Sequence, residues 1–220
     1  MNPVRQALGS FISPVYSRLF PNWMELLKKE LKGVGPVLDL GCGPNSPIQY
    51  CDVHSTVGVE VFKPYLEEAK RRGLHNIYVE SELMDFFEGR FGETFQAAMA
   101  IQVLEHLEKS KALSVLTNIS LVVTQKVIIA VPNGWMPQDD IDGNPYNVHK
   151  SFWSTKELRD LGFKVRGTQG LKILRGYRGW WRKPKWIPDF IMATISGMTQ
   201  WIVYFIPQWS FQLFAVSKKK

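Results

Sequence analysis

A single carboxylate close to two glycines suggests a binding site for a cationic ligand. The stretch VLDLGCGPNSP, residues 37–47, carries Asp39 just before Gly41 and Gly43. The glycines let the chain turn sharply and let a ligand approach the backbone closely. A dinucleotide-binding loop needs a third glycine where this chain has Ser46, and the carboxylate would repel a pyrophosphate. The pattern therefore favours a ligand with an ammonium or sulfonium group.

A second carboxylate, Glu60, ends the next predicted strand, STVGVEV, 17 positions after Gly43. A carboxylate at the tip of the second strand of a parallel sheet can accept hydrogen bonds from both hydroxyls of a ribose. S-adenosylmethionine combines a ribose with an ammonium and a sulfonium group. It is therefore the cofactor that these two carboxylates predict.

The elements that must position these residues alternate between strand and helix along the chain. Such alternation predicts an α/β fold with a mostly parallel sheet, whose ligand site lies at the carboxyl ends of the strands. We expect a Rossmann-like, seven-stranded mixed sheet whose last strand, FQLFAVS, is antiparallel. The chain is predicted to be one domain, 1–220, with an N-terminal helical lid (1–33), a cofactor-binding core (34–169), an apolar and basic insertion (170–209), and the last strand with a basic tail (210–220).

Composition sets the expected class and compartment. A chain of 220 residues, 45% of them hydrophobic, can bury the core of one globular domain. Two cysteines, Cys42 and Cys51, are too few for a disulfide framework, and the first thirty residues carry charges instead of a continuous apolar leader. We therefore expect a cytoplasmic protein.

Four segments together are similar to the class I S-adenosylmethionine-dependent methyltransferases. These are VLDLGCGPNSP, the acid in VGVEVFKPYLEEAK, the post-strand segment IQVLEHLEK and the strand end VIIAVPNG. The resemblance covers roughly residues 35–166, with FQLFAVS as the expected last strand. It implies a methyltransferase whose cofactor is S-adenosylmethionine.

The resemblance also implies roles for individual residues. Asp39, Gly41 and Gly43 would hold the methionine end of the cofactor, and Glu60 the ribose. The remaining assignments are Phe62 against the adenine, Glu82 (or Ser81) at the adenine amino group, and Gln102 beside the sulfonium; Gln96 stands where many relatives have an aspartate.

Two histidines are candidates for the base that takes the acceptor's proton. His106 follows the fourth predicted strand, and His149 follows the fifth in NPYNVHKSFW. His106 could instead cap or pack against a helix, and His149 could instead fix its own loop.

A metal ion is the alternative use of the same residues. If QVLEHL begins a helix, Gln102, Glu105 and His106 share one face, and His149 can reach them. Some related families, small-RNA 2′-O-methyltransferases and quinone-biosynthesis O-methyltransferases, bind a divalent ion through Glu-x-x-Glu-His and a later histidine. Gln102 replaces the first glutamate of that pattern, which should weaken a hard cation. We therefore prefer His149 as a metal-free base and leave the metal unassigned.

The positive charge is concentrated in the C-terminal quarter of the chain, which includes the insertion. The net charge is +7, and residues 164–185 hold eight basic residues and no acidic one, interleaved with aromatic residues such as Trp180 and Trp181. The segment FIMATISGMTQWIVYFI, 190–206, then runs 17 residues without a charge. As a helix it would be about 25 Å long, short of a bilayer core of about 30 Å.

Two interpretations of the insertion remain open. In the first, the insertion docks on an anionic membrane surface or admits a lipid-like substrate. In the second, its apolar segment is a buried helix that caps the active site. Nucleic acid is a weaker alternative, because an RNA-binding surface does not explain the apolar run.

These observations predict a methyltransferase that acts on a small or lipid-like molecule, with peripheral membrane association as one reading. The alternatives are a non-catalytic adaptor that binds S-adenosylmethionine, and an RNA methyltransferase.

Overall fold

A computed structural model of the chain describes residues 22–89, 94–140, 143–176 and 179–219. Most of the predicted lid, residues 1–21, lies outside these ranges, as do residues 177–178 of the insertion.

The described residues form one seven-stranded sheet with strand order β3-β2-β1-β4-β5-β7-β6. Neighbouring strands are parallel except that β7 runs antiparallel to both β5 and β6. The predicted mixed sheet with an antiparallel last strand is thereby confirmed. The strands are β1 (Val37–Leu40), β2 (Thr56–Glu60), β3 (Ile77–Glu80), β4 (Phe95–Ile101), β5 (Val123–Pro132), β6 (Lys164–Leu171) and β7 (Ser210–Lys218).

Seven α-helices flank the sheet in the described part of the chain. One of them, which follows β3 directly, was not expected from the sequence. The helices are α1 (Trp23–Leu31), α2 (Lys63–Arg71), α3 (Leu83–Gly89), α4 (Lys109–Val122), α5 (Thr155–Asp160), α6 (Asp189–Met198) and α7 (Gln200–Phe205).

Apolar side chains fill both faces of the sheet, as a mostly parallel sheet requires. On one face, Leu38 and Leu40 of β1 join a large cluster with residues of α3, α4 and α5. On the other face, Leu27 and Leu31 of α1 are fully buried in a second cluster that includes Val37. The described end of the predicted lid is therefore a helix that covers the sheet.

The apolar segment of the insertion differs from the single 17-residue helix considered above. It forms two helices, α6 and α7, which meet at Thr199. Two glycines of β6 let these helices lie directly on the strand: a Cβ at Gly167 would stand 2.1 Å from the Val203 carbonyl oxygen, and one at Gly170 2.1 Å from Ser196 Oγ. In the described part of the chain, none of the helices combines the length and apolar character needed to span a membrane.

Candidate active site

The glycine loop after β1 adopts a conformation that depends on glycine. Gly41 and Gly43 have φ angles of 62° and 55°, in the left-handed region. A Cβ at Gly41 would stand 2.6 Å from Cγ2 of Val103, so the loop passes too close to the end of β4 for any side chain. The Gly43 N–H donates to Glu60 Oε2 at 3.1 Å, which fixes the loop against the end of β2.

Asp39 lies beneath this loop. Its carboxylate accepts a hydrogen bond from Ser46 Oγ at 2.5 Å, and Oδ2 lies 3.4 Å from His75 Nε2 without a hydrogen bond between them. Burial raises the pKa of Asp39 to about 8, with Ser46 opposing the shift and Glu60 adding to it. The side chain is only 3% exposed, so Asp39 holds the loop from behind.

A cavity of about 330 Å³ opens in front of the loop at the carboxyl ends of β1, β2 and β4. Five of the residues predicted to bind the cofactor line it, whereas Asp39 and Phe62 do not. We call it the cofactor cavity; its lining is Gly41, Gly43, Val59, Glu60, Val61, Tyr65, Ser81, Glu82, Leu83, Gln102, Val103, His106, Leu107, Glu108, Lys111, Asn144, Tyr146, Asn147 and Lys150.

Glu60 is the best-fixed carboxylate of the cofactor cavity. Besides the bond from Gly43, its Oε1 accepts the Phe62 N–H at 2.8 Å. Burial raises the pKa of Glu60, while these backbone N–H groups oppose the shift. Glu82 is more exposed and accepts a hydrogen bond from Lys111 Nζ at 2.6 Å.

Phe62 acts on the cavity through a residue that the sequence analysis missed. Its ring packs edge-on against Tyr65, with centroids 5.0 Å apart, and Tyr65 lines the cavity. The hydroxyl of Tyr65 in turn accepts a hydrogen bond from Asn147 Nδ2 at 3.2 Å. The three-residue spacing from Phe62 to Tyr65, one helical turn, was the available signal; Asn147 had none, because it is 82 residues away in sequence.

A second cavity of about 230 Å³ shares Gln102 with the first; we call it the acceptor cavity, after the role proposed for it below. Gln102 lines both cavities and has a φ of 58°, an uncommon conformation for a residue with a side chain. Its N–H donates to the Ala130 carbonyl at 2.8 Å. The lining of the acceptor cavity is Gln102, Pro132, Met136, Gln138, His149, Gln169, Arg175, Gly179, Phe211 and Gln212.

Arg175 carries the one formal positive charge among the residues that line the acceptor cavity, with His149 neutral. Its guanidinium stacks over Trp181 at 3.9 Å and Phe211 at 4.8 Å, and Nη1 donates to the Gly179 carbonyl at 3.2 Å. Its Nε is buried without a hydrogen-bond partner among the described residues. Burial lowers the pKa of Arg175.

The two candidate histidines lie together at the boundary of the cavities. His106 lines the cofactor cavity and His149 the acceptor cavity, and their ring centroids are 4.8 Å apart. Burial lowers the pKa of His106 to about 4, to which His149 contributes, and burial also lowers the pKa of His149. The Met136 carbonyl lies 2.5 Å from His149 Nδ1, so it accepts the Nδ1 proton and leaves Nε2 as an acceptor.

Glu105 joins this pair, although not in the way expected. QVLEHL does not begin an α-helix: Leu104–His106 is one 3₁₀ turn, so Gln102 and Glu105 do not share a helical face. Ligand atoms of Glu105, His106 and His149 nevertheless lie within 4.8 Å of one another. Both Glu105 oxygens are buried without partners in the described part of the chain, and burial raises its pKa to about 8. Two imidazoles and one carboxylate could hold a divalent transition metal after a small closure.

Comparison with known proteins gives one family. Residues 38–130 match the model of a methyltransferase domain, and no curated protein sequence matches the chain. The fold is similar to that of a SAM-dependent methyltransferase from Archaeoglobus fulgidus, with 15% identity, 93% of this chain and 98% of that chain covered, and a TM-score of 0.57.

Two further structures contain the product of methyl donation, SAH. A plantazolicin methyltransferase in complex with a triazolic desmethylPZN analogue and SAH is 13% identical, with 96% of this chain and 90% of that chain covered and a TM-score of 0.55. The magnesium protoporphyrin IX methyltransferase from Synechocystis PCC 6803 with bound SAH is 13% identical, with 98% and 85% covered and a TM-score of 0.50. At these identities the likeness shows a shared fold.

Proposed function

We propose that the chain is a class I S-adenosylmethionine-dependent methyltransferase and that it methylates a small or lipid-like molecule bound in the acceptor cavity; the methyltransferase-domain match over residues 38–130 and the shared fold support this. Gln102 carries this proposal because it lines both cavities. If the methyl group of the cofactor lies beside Gln102, the acceptor in the neighbouring cavity would lie next to the same residue, and the two reactants would be close together. Methyl transfer is an in-line displacement at a carbon activated by the positive sulfur, so positioning the two reactants supplies much of the catalysis.

The cofactor cavity offers groups for each part of S-adenosylmethionine. Glu60, held by two backbone N–H groups, would accept the ribose hydroxyls, and Glu82 would meet the adenine amino group. The glycine loop would hold the methionine end. Asp39 would act there by fixing the loop, because its buried side chain does not line the cavity.

His149 is the proposed base. Because burial lowers its pKa, the imidazole is neutral near neutral pH, and its Nε2 is free to accept a proton. A hydroxyl or amine acceptor would transfer its proton to Nε2 as the new bond to the methyl carbon forms.

We infer from Arg175 that the acceptor carries an anionic group. A guanidinium with an unpaired buried donor is costly, and a carboxylate in the cavity would supply the missing partner. Changing Arg175 to Gln should therefore raise KM for the acceptor more than it lowers kcat.

A transfer assay with labelled S-adenosylmethionine tests the proposed function. Small-molecule and lipid extracts would be offered to the wild type, to His149→Ala, and to His54→Ala, in which an exposed histidine away from both cavities is changed. We expect label transfer with the wild type and His54→Ala and a large loss in His149→Ala, with SAH binding kept in all three. SAH binding without transfer to any fraction would favour the adaptor alternative, and failure to bind SAH would overturn the proposal.

We also propose that the chain meets its acceptor at an anionic membrane surface. Helices α6 and α7 expose seven large apolar side chains, which we call the apolar face: Phe190, Ile191, Ile195, Met198, Trp201, Ile202 and Phe205. Large apolar side chains exposed together on two successive helices are typical of an interaction site, and the surrounding insertion is strongly basic. The alternative interpretation, in which the apolar segment caps the active site, gains no support, because no residue of α6 or α7 lines the cofactor cavity.

Vesicle sedimentation tests this contact. The wild type should bind vesicles that contain phosphatidylglycerol, and added salt should weaken the binding. Met198→Ser with Phe205→Ser should reduce the binding, whereas Leu121→Ser, which changes an equally exposed residue on α4, should not. Equal binding by all of these proteins, or binding by none, would contradict the proposal.

A further inference from the structure

We propose that a third cavity, between α1, α7 and the paired strands β6 and β7, binds the phosphate group of an anionic phospholipid. The cavity measures about 400 Å³ and shares no lining residue with the cofactor or acceptor cavity. The inference rests on the proposed membrane contact, and it adds the place where a lipid headgroup is held.

The charges around this cavity are unbalanced. Four cationic side chains line it, Lys29, Lys164, Arg166 and Lys218, together with one carboxylate, Glu30. Lys218 Nζ lies 3.4 Å from Glu30 Oε2, the same oxygen that Lys126 Nζ approaches at 3.3 Å from outside the lining. Among the described residues, no carboxylate pairs with Lys29, Lys164 or Arg166. A concave surface with this excess of positive charge attracts an anion.

The strands fix the positions of these cations. Lys164 and Arg166 are two residues apart on β6, so their side chains share one face of the sheet. They pair with Val216 and Phe214 of β7, and Lys218 follows on the same face of β7. Three of the four cations therefore stand on hydrogen-bonded strands, so their backbone positions are fixed before a ligand binds.

The cavity adjoins the apolar face at Tyr204. The guanidinium of Arg166 lies 4.9 Å from the centre of the Tyr204 ring, and that ring packs edge-on against Phe205 at 5.1 Å. Phe205 belongs to the apolar face and is 65% exposed. A phospholipid presents an anionic phosphate beside apolar chains. The cationic cavity beside the apolar face matches this arrangement. Free phosphate would gain nothing from the apolar face, so a phospholipid is the favoured source of the phosphate group.

Two probes separate the lipid from free phosphate. Inorganic phosphate would be titrated by calorimetry, and vesicles of phosphatidylcholine with or without phosphatidylglycerol would be sedimented with the full chain. The test variant is Lys164→Gln with Arg166→Gln. The matched control is Lys156→Gln with Arg159→Gln, an exposed lysine and arginine on α5. Thermal unfolding would show that both variants fold.

We expect saturable phosphate binding by the wild type and the control, about tenfold weaker in the test variant because charge-assisted hydrogen bonds are lost. Phosphatidylglycerol vesicles should likewise bind the wild type and the control more tightly than the test variant. Phe205→Ser should weaken vesicle binding and leave phosphate binding unchanged. Phosphate binding without vesicle binding would mean a free-phosphate site and overturn the lipid assignment. Absence of saturable phosphate binding, or equal loss in the test and control variants, would overturn the site. SAH binding, measured in parallel, reports separately on the cofactor site.

Discussion

Replacing Glu60 by glutamine tests the cofactor site at its best-defined residue. The two carboxylate oxygens accept N–H groups from Gly43 and Phe62 at 3.1 and 2.8 Å. Glutamine has one acceptor oxygen, so its NH₂ group must face one of these two donors. The variant therefore loses the hydrogen bond from either Gly43 or Phe62, and in both cases one of the two oxygens that could accept the ribose hydroxyls.

The expected magnitude follows from one lost hydrogen bond to a charged group. Such a bond contributes about 1.5–3 kcal/mol, which corresponds to a Kd for SAH about 10- to 150-fold higher. Calorimetric titration with SAH measures this directly. Glu80→Gln is the matched control, because Glu80 pairs with Glu60 in the strand register, is exposed and does not line the cofactor cavity.

A cofactor analogue sharpens the test. SAH that lacks the ribose 2′-hydroxyl should bind the wild type more weakly than SAH does, and this difference should shrink in Glu60→Gln. If Glu60→Gln bound SAH as tightly as Glu80→Gln, the assignment of the ribose to Glu60 would be refuted.

Three other changes test the surroundings of the site. Burial raises the pKa of Asp39 from 3.8 to about 8, so between these values the folded protein keeps a proton that the unfolded chain has released. The free energy of unfolding should therefore fall from about pH 4 to pH 8 relative to Asp39→Asn, and parallel pH profiles from chemical denaturation would contradict this. Gly41→Ala should cost about 1–3 kcal/mol of stability and weaken SAH binding, since its Cβ would meet Val103 at 2.6 Å; an unchanged denaturation midpoint and Kd would show that the loop can yield. Transfer activity should survive chelation and be lost in His149→Ala if His149 is the base, whereas activity restored only by Mg²⁺, Mn²⁺ or Zn²⁺ would assign His106 and His149 to a metal.

The glycine loop and the sheet were predictable because their signals are local. Gly41 and Gly43 follow a short apolar strand, and their left-handed backbone excludes most other residues. Glu60 was recognisable from its place at the end of β2. Its contact with Gly43, across 17 residues, follows from the parallel pairing of β1 and β2.

The unpredicted features depend on contacts between distant residues. The uncharged sequence of residues 190–206 gives no sign that the helix breaks at Thr199. Gln200 and two glycines of β6 stabilise this break. Gln200 Nε2 donates to the Gly167 carbonyl at 3.0 Å, and the Gly170 N–H donates to Gln200 Oε1 at 3.2 Å. The helix considered for QVLEHL does not form for a similar reason. Gln102 takes a left-handed conformation and bonds to Ala130 on β5, so the chain makes only one tight turn there.

The position of β7 between β5 and β6 has a consequence for the order in which the protein can assemble during translation. β6 pairs only with β7 in this sheet, yet β7 is made after the whole insertion. The five strands that carry the cofactor cavity can therefore associate while the ribosome is still producing residues 170–209. Until residues 210–218 follow, β6 has no partner strand in this sheet, and the apolar helices lack the support of the completed sheet. The second half of the sheet closes only when residues 210–218 leave the exit tunnel, so this interval is when the nascent chain most needs protection from aggregation.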